Sequence, residues 1–304
     1  MVKPKRKRLK RLSAYKVHVN IDLHIHTSAS DGTCSAEEIL KLANDQKLGA
    51  IAITDHDTMA GVKEALAAGI PHGLGFLTGV EISAAPLSEF PVSVTFHILG
   101  YDIDVDHPEL NQTLFLLQNA RRNRNPKILK KLQEMSIRIT MDEVREAAAG
   151  DQVGRPHIAQ VLVKKNYAVS IDDAFDRYLG RGKPAYVDKF RIGCHEAISL
   201  IRKARGLAVL AHPILLNIFE DRMMEDLIIR LKSMGLGGLE TYYPEHSPER
   251  TAFFAHLASR HDLLMTGGTD FHGELKPDVR LGEGKGDLSV PFSLFQEIIK
   301  RKWK

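Results

Sequence analysis

The chain has 304 residues, 43% of them hydrophobic and 26% charged, and only two cysteines. That composition excludes a disordered polyampholyte and a disulfide-stapled secreted scaffold. No apolar run approaches the ~20 residues that a membrane span requires. The length suits one large α/β domain or one domain with an insert.

In chain order, the first feature is a basic tail. Seven Lys and Arg residues lie between Lys3 and Arg11 in "KPKRKRLKR", and removing them turns the net charge from +4 to −3. No apolar stretch follows the tail, so it does not read as a secretory signal. Residues 1–16 are expected to form a solvated, disordered extension, with a loose electrostatic tether for RNA as the sharper alternative.

Short apolar runs then recur: "NIDLHIHT", "GAIAITDHD", "FLTGVEISA", "VTFHILGYD", "LAVLAHP", "GLGGLETYY" and "LLMTGGTDFH". They are mostly apolar on both faces, as strands buried in a parallel sheet are. Helical patterns separate several of them. "SAEEILKLANDQKLG" has Ser35 as N-cap, Glu38 completing a capping box, and Gly49 as the predicted stop. Alternating strands and helices with short connections predict a parallel α/β architecture. The rhythm breaks across 104–191, where helical patterns such as "ELNQTLFLLQNARRNRNPKILKKLQEMS" and "RPHIAQVLVKKNYA" follow one another. We read this stretch as a helical insert after the fourth strand, with the barrel formed by 17–103 and 192–304. Pro126 is expected to kink or interrupt the first of its helices.

The unusual polar residues sit at the ends of the predicted strands. His24 and His26 are two apart in the first run and share a face, and Asp31 follows after a turn. His56 ends the second run, Glu81 lies near the end of the third, His97 in the fourth and His212 after "LAVLA". Asp270 and His272 close the last. A lone histidine of this kind is more often a hydrogen-bonded core residue than a ligand. Six imidazoles and three carboxylates drawn from six strands are another matter. Buried, such groups must be paired or bound to metal, and the C-terminal rim of parallel strands is where a β/α barrel builds its site. No Ser or Cys occupies a nucleophile elbow, and Ser28 and Ser30 read as turn residues.

The ordered motifs "DLHIHTSASDG", "ITDHDT", "GVEIS", "LAHP" and "GTDFH" resemble those of the PHP (polymerase and histidinol phosphatase) family, from Asn20 to Leu281. The resemblance implies a distorted (β/α)7 barrel with three metal ions. One would be held by His24, His26, Glu81 and Asp270. A second would be held by Glu81, His97 and His212, and a third by Asp31, His56 and His272. The segments "VGRPHIAQVLV" and "YLGRGKPAYV" resemble the branch that contains nucleoside 3′,5′-bisphosphate phosphatases and the 5′-to-3′ exoribonuclease RNase AM (TrpH-like proteins). Histidinol phosphatases of the family are the nearest rivals.

Imidazole with carboxylate suits Mn, with Fe or Zn as alternatives, better than Mg or Ca. Such ions activate water and neutralise phosphoryl charge, so the expected step is in-line attack on phosphorus by a metal-bridging hydroxide held by Glu81 and neighbouring ligands. Asp22 and Asp55 are candidates for orienting imidazoles, or for plain strand-end hydrogen bonding. For a second phosphate, Arg155 is the first choice because a guanidinium fork matches phosphate oxygens, with His157 two residues on. Arg121, Arg122 and Arg124 begin a basic run to Lys131, most of which reads as a solvated helix face. Arg121 and Arg124, three apart, are the exceptions we select. Tyr243 and His246 in "ETYYPEHS" could stack on a base or donate a proton, or could simply pack. The expected partner is a nucleotide or short RNA, and the expected compartment is the cytoplasm. The alternative from another class is a barrel that binds nucleic acid without catalysis.

Overall fold

The computed structural model describes residues 19–90, 95–148 and 153–302. The basic tail lies outside these residues. Strand β1 (Ile21–Ile25) leads to helix α1 (Ala36–Asp45), β2 (Ala50–Ile53), α2 (Ala60–Ala68), β3 (Gly75–Ala85) and β4 (Phe96–Tyr101). Four helices follow: α3 (Pro108–Glu134), α4 (Met141–Ala147), α5 (Arg155–Lys164) and α6 (Ile171–Ala174), the last running into a π-helical turn at Phe175–Leu179. The chain then returns to the sheet with β5 (Ile192–Gly193), α7 (Cys194–Lys203), β6 (Leu207–Leu210), α8 (Asp221–Ser233), β7 (Gly238–Tyr242), α9 (Pro248–Arg260), β8 (Leu264–Gly267) and α10 (Phe292–Lys302).

The sheet order is β1-β2-β3-β4-β6-β7-β8, with the two-residue β5 added beside β3. The path curls until its ends meet. His26 N donates to Phe271 O at 2.9 Å, and Phe271 N donates to His24 O at 3.3 Å. The seven predicted strands are the seven members of this path. One expectation fails. β4 runs antiparallel to both β3 and β6, whereas a parallel sheet was read from the pattern. The connection from β3 to β4 spans only residues 86–95, shorter than the dozen or more residues a parallel crossover needs.

Three apolar clusters organise the molecule. Ile21, Leu23, Ala50, Ala52, Leu99, Tyr101 and Val209 pack with Leu294, Phe295 and Ile298 of α10. Ile51, Ile53, Val80, Ile82 and Ile98 pack with α1, α2 and α7 side chains such as Ile39, Val62 and Ile201. Each fully buried side chain of this size contributes about 1.5–3 kcal/mol. The third cluster belongs to the helical segment and includes Ile128, Leu132, Val144, Ile158, Leu162 and Leu179. Helix α3 joins two of these cores. Leu110, Leu114 and Leu117 enter the sheet-side cluster, while Ile128, Leu129 and Leu132 enter the helical one. That double anchorage explains why α3 runs unbroken through Pro126: the interruption expected of the missing N–H is overridden by burial at both ends.

The capping box of α1 forms as read, with Glu38 N on Ser35 Oγ at 3.2 Å and Ser35 N on Glu38 Oε2 at 2.8 Å. The helix stops earlier than Gly49. Its last residue is Asp45, and Lys47 takes the left-handed conformation at φ 58°. Gly49 serves close approach instead, since a Cβ there would lie 2.7 Å from the Phe292 ring. Helix α10 thus packs against the N-terminal ends of the parallel strands, leaving the opposite rim for chemistry.

Candidate metal centre

Six chain segments deliver the cluster. His24 lies in β1 and His26 just after it, and the turn that follows carries Asp31. His56 follows β2, Glu81 sits in β3, His212 follows β6, and Asp270 and His272 follow β8. His97 is the second residue of β4, at its N-terminal end and not at the predicted C-terminal one. Because β4 is antiparallel, that end lies on the same rim as the C-terminal ends of its neighbours. Asp270 and His212 hold positive φ, 54° and 25°, which costs a non-glycine residue of order 1–3 kcal/mol and persists where the surroundings over-determine it.

Glu81 is the hub. Its Oε1 lies 2.8 Å from His97 Nδ1 and 3.0 Å from His212 Nε2. Its Oε2 lies 3.0 Å from His56 Nδ1, 3.2 Å from His26 Nε2 and 3.4 Å from His24 Nε2. Asp270 Oδ1 lies 3.1 Å from His26 Nε2 and 3.5 Å from both His24 Nε2 and His272 Nδ1. Asp31 faces His272 Nε2 at 3.5 Å, His26 Nδ1 at 3.6 Å and His56 Nε2 at 3.8 Å. Two ligands on one tetrahedral ion sit about 3.3–3.5 Å apart, given bonds near 2.1 Å, so these separations suit donors gathered round a cation. Three overlapping sets have ligand atoms within 4.8 Å of one another: His26, Asp31, His56 and His272; His24, His26 and Glu81; and His56, Glu81 and His97.

Whether the residues fit a metal is tested by polar atoms that protein contacts leave unsatisfied. His24 Nε2, His26 Nε2, Asp31 Oδ1 and Glu81 Oε2 are buried and make no aligned hydrogen bond, their contacts being the nitrogen–oxygen approaches above. Four such atoms in one cluster, each costing about 1–3 kcal/mol where left unpaired, form a donor set that a bound cation would satisfy. The electrostatics agree. Burial pushes the carboxyls of Glu81, Asp31 and Asp270 up, yet surrounding imidazoles, and Lys276 at Asp270, hold all three well below their ordinary range. Burial pushes His24 and His26 down, but the carboxylates outweigh it and raise His24 well above its usual value and His26 to about 9. His97 and His272 are lowered to about 4, chiefly by burial, against the upward pull of Glu81 on His97 and of Asp270 and Asp31 on His272.

The contacts of Glu240 and Asp57 around the cluster were not anticipated, whereas Asp22 and Asp55 were. Glu240, fully buried in β7, places Oε1 2.9 Å from His24 Nδ1 and accepts from His212 N at 2.6 Å through Oε2. A lone acid inside the apolar run "GLGGLETYY" was the available signal. Asp57, beside His56, accepts from Ser83 N, from Arg121 Nη2 at 2.9 Å and from Lys189 Nζ at 3.0 Å. Burial pushes its carboxyl up, and Lys189 and Arg121 more than reverse this. Asp22 accepts from the backbone of His24, Thr269 and Gly282 and from Thr269 Oγ1. Asp55 accepts from Thr27 and from Ser30 Oγ, which in turn sits 3.4 Å from His26 Nδ1.

A cavity of about 590 Å³ opens over the cluster, walled on the helical side by Pro156, Ile171 and Phe175 and on the other by Leu215, Lys276 and Lys285. Arg155 stands behind this wall. Its guanidinium packs on the Phe175 and Tyr186 rings at 5.4 and 5.6 Å and donates to Leu179 O. Arg121 and Arg124 are buried and Arg122 is exposed. Arg124 contacts an amide oxygen, Asn125 Oδ1. His157 is buried and accepts from Gly154 N, closing the start of α5. His246 pairs Nδ1 with Thr241 O at 2.8 Å and packs between Tyr243 and Phe254. Cys34 and Cys194 are unpaired. Among the described residues, no helix is long and apolar enough to cross a membrane.

This rim of clustered imidazoles and carboxylates on a curled α/β sheet points to the class. The PHP domain model matches residues 22–179, and the chain belongs to the PHP domain family, whose phosphoesterases hydrolyse phosphoester bonds. It is 34% identical over 251 residues to a 5′-3′ exoribonuclease of Haemophilus influenzae, covering 83% of this chain and 89% of the relative. It is 32% identical over 270 residues to a 3′,5′-nucleoside bisphosphate phosphatase of Chromobacterium violaceum, covering 88% and 90%. A structure described as a candidate metal-dependent phosphoesterase from Bifidobacterium adolescentis superposes with a TM-score of 0.80 at 31% identity, over 93% of this chain and 96% of that one.

Proposed function

We propose that this chain hydrolyses the 3′-phosphoester of nucleotides that also carry a 5′-phosphate. It would remove phosphate from nucleoside 3′,5′-bisphosphates and release 5′-mononucleotides from short RNA, because both substrates present the same pair of groups to one pocket. The observation that carries the reading is the cluster of orphaned ligand atoms under the cavity, in a chain whose relatives bear these two activities in their names.

Three divalent ions are the occupants we infer for the cluster. His24, His26, Glu81 and Asp270 would hold one, Glu81, His97 and His212 a second, and Asp31, His56 and His272 the third. Mn suits the ligands, with Fe or Zn as alternatives. When bound, such ions polarise phosphoryl oxygens and lower the pKa of water. The chain's own residues do the rest. Glu81 ties two ligand sets together through its two oxygens, and Glu240 fixes the His24 ring. For the 5′-phosphate, Arg155, Arg121 and Arg124 are the candidates, with His157 at the adjoining helix start. Support comes from charge: Arg124 is buried near Arg121, Arg155 and Arg191 and donates to the neutral amide oxygen of Asn125, an imbalance that an anion relieves. His246 stays a candidate for contact with the sugar or base. The helical stretch 104–191 forms the wall that narrows the cavity to nucleotides, the basic tail gathers RNA, and the enzyme works in the cytoplasm.

The test is turnover by purified, Mn-loaded protein of adenosine 3′,5′-bisphosphate, of 5′-phosphorylated oligoribonucleotides and of histidinol phosphate. Release of phosphate or mononucleotide from the first two is expected. Turnover of histidinol phosphate alone would reject the nucleotide reading, and RNA binding without any turnover would make the barrel a binding module. Arg155→Ala should raise KM more for a bisphosphate than for a monophosphate; equal effects would remove Arg155 from the second-phosphate site.

A further inference from the structure

The two oxygens of Asp270 face different surroundings. Oδ1 looks into the cluster, 3.1 Å from His26 Nε2. Oδ2 is held from outside by two donors, Lys276 Nζ at 2.7 Å and Tyr243 OH at 3.1 Å. Both donors are themselves fixed. Lys276 ends a short 3-10 turn, Gly273–Leu275, pinned to the β1–α1 loop where Glu274 N donates to Thr33 Oγ1 at 2.9 Å. Gly273 permits that docking. It holds φ 65°, and a Cβ there would lie 2.1 Å from Thr33 Oγ1. Tyr243 is buried between the rings of His212 and His246, 5.5 Å from each. The His246 ring is in turn held by its bond to Thr241 O.

A carboxylate passes from one-oxygen to two-oxygen coordination with a small shift, unless its second oxygen is already engaged. We propose that Lys276 and Tyr243 are positioning residues that keep Asp270 a one-oxygen ligand, preserving an open coordination position for a phosphoryl oxygen. The inference rests on the reading of Asp270 as a metal ligand. It assigns work to a lysine that the site's ligand chemistry does not otherwise require. It also explains why a tyrosine hydroxyl is buried against a carboxylate that could otherwise spend both oxygens on cations. An open position is what separates a catalytic metal site from a closed structural one, and groups behind a ligand commonly govern metal affinity or rate by 10- to 100-fold.

The experiment uses the full chain loaded with Co(II), comparing wild type with Lys276→Met, Lys276→Arg and Tyr243→Phe. Visible absorption reports coordination number, since added ligands weaken the Co(II) bands. Turnover of p-nitrophenyl phosphate reports kcat and KM without reference to the nucleotide reading. Lys276→Met should weaken the bands and lower kcat by about 10- to 100-fold, with KM little changed and the ions retained against a chelator. Tyr243→Phe should do the same more mildly, and Lys276→Arg should restore most of both signals. A rise in KM alone would make Lys276 a substrate contact and overturn the clamp, as would unchanged bands and kcat in both Lys276→Met and Tyr243→Phe, or loss of the ions. Wild-type protein that takes up no Co(II) would overturn the ligand reading and the clamp together.

Discussion

Replacing Glu81 by Gln is the sharpest perturbation of the cluster. The substitution keeps the shape of the side chain and removes one negative charge from a point where five imidazole nitrogens lie within 3.4 Å. Because Glu81 is assigned to two of the three ligand sets, two of the three proposed ions should be lost. An ion present at a hundred times its dissociation constant stabilises the folded state by about 2.7 kcal/mol. Unfolding entropy of about 2.1 cal/mol/K per residue over 304 residues converts that into a rise in Tm of about 4 °C per ion. Wild type should therefore gain about 13 °C on saturation with Mn and Glu81→Gln about 4 °C. Asp31→Asn, which touches one set, should fall between them. The assay is calorimetry of each protein with and without Mn, so that changes in the metal-free protein cancel. A full wild-type gain in Glu81→Gln would refute the hub assignment.

Glu240→Gln should leave the fold intact and lower metal affinity or turnover by about 10- to 100-fold, because the His24 ring loses its carboxylate; metal analysis after dialysis with a kcat measurement checks it. Asp57→Asn breaks a buried ion pair with Arg121 and Lys189 and should cost about 3–5 kcal/mol, read as a lower Tm. The same pair gives an acid dependence. The Asp57 carboxyl is depressed in the folded state, so its contribution is present above the unfolded value of 3.8 and is lost as pH falls below it; the Asp57→Asn variant should show a flatter stability profile in that window. Deleting residues 1–16 should weaken RNA binding in a salt-dependent way while leaving mononucleotide turnover unchanged, and an equal loss of both would place the tail in the catalytic machinery.

The apolar runs of β1, β2, β3 and β6 to β8 were legible because burial on both faces writes an unbroken hydrophobic signature. The direction of β4 was not, since that signature is the same for parallel and antiparallel strands, and the short connection before it carried the missing information. His97 shows the consequence: its place on the rim was right and the end of the strand was wrong. The polar residues of the site stood out because each terminates or interrupts an apolar run. Glu240 did the same and was passed over, having no motif partner beside it. Asp57 was hidden within "TDHDT", and its partner Lys189 lies 132 residues away, a pairing that no local pattern encodes. Arg121 and Arg124 were separable from Arg122 by helical spacing, yet their burial rests on the packing of α3 against two cores and, for Arg121, on the Asp57 pairing. Pro126 marked a helix end that tertiary packing overrode.

The account stands on divalent ions bound at the meeting point of His24, Glu81, His212 and Asp270. Anomalous diffraction from crystals grown with Mn tests this most directly. Peaks between these residues, with Glu81 shared by two of them, are the predicted result. The same side chains pointing into separate pockets, with no peak among them, would contradict it.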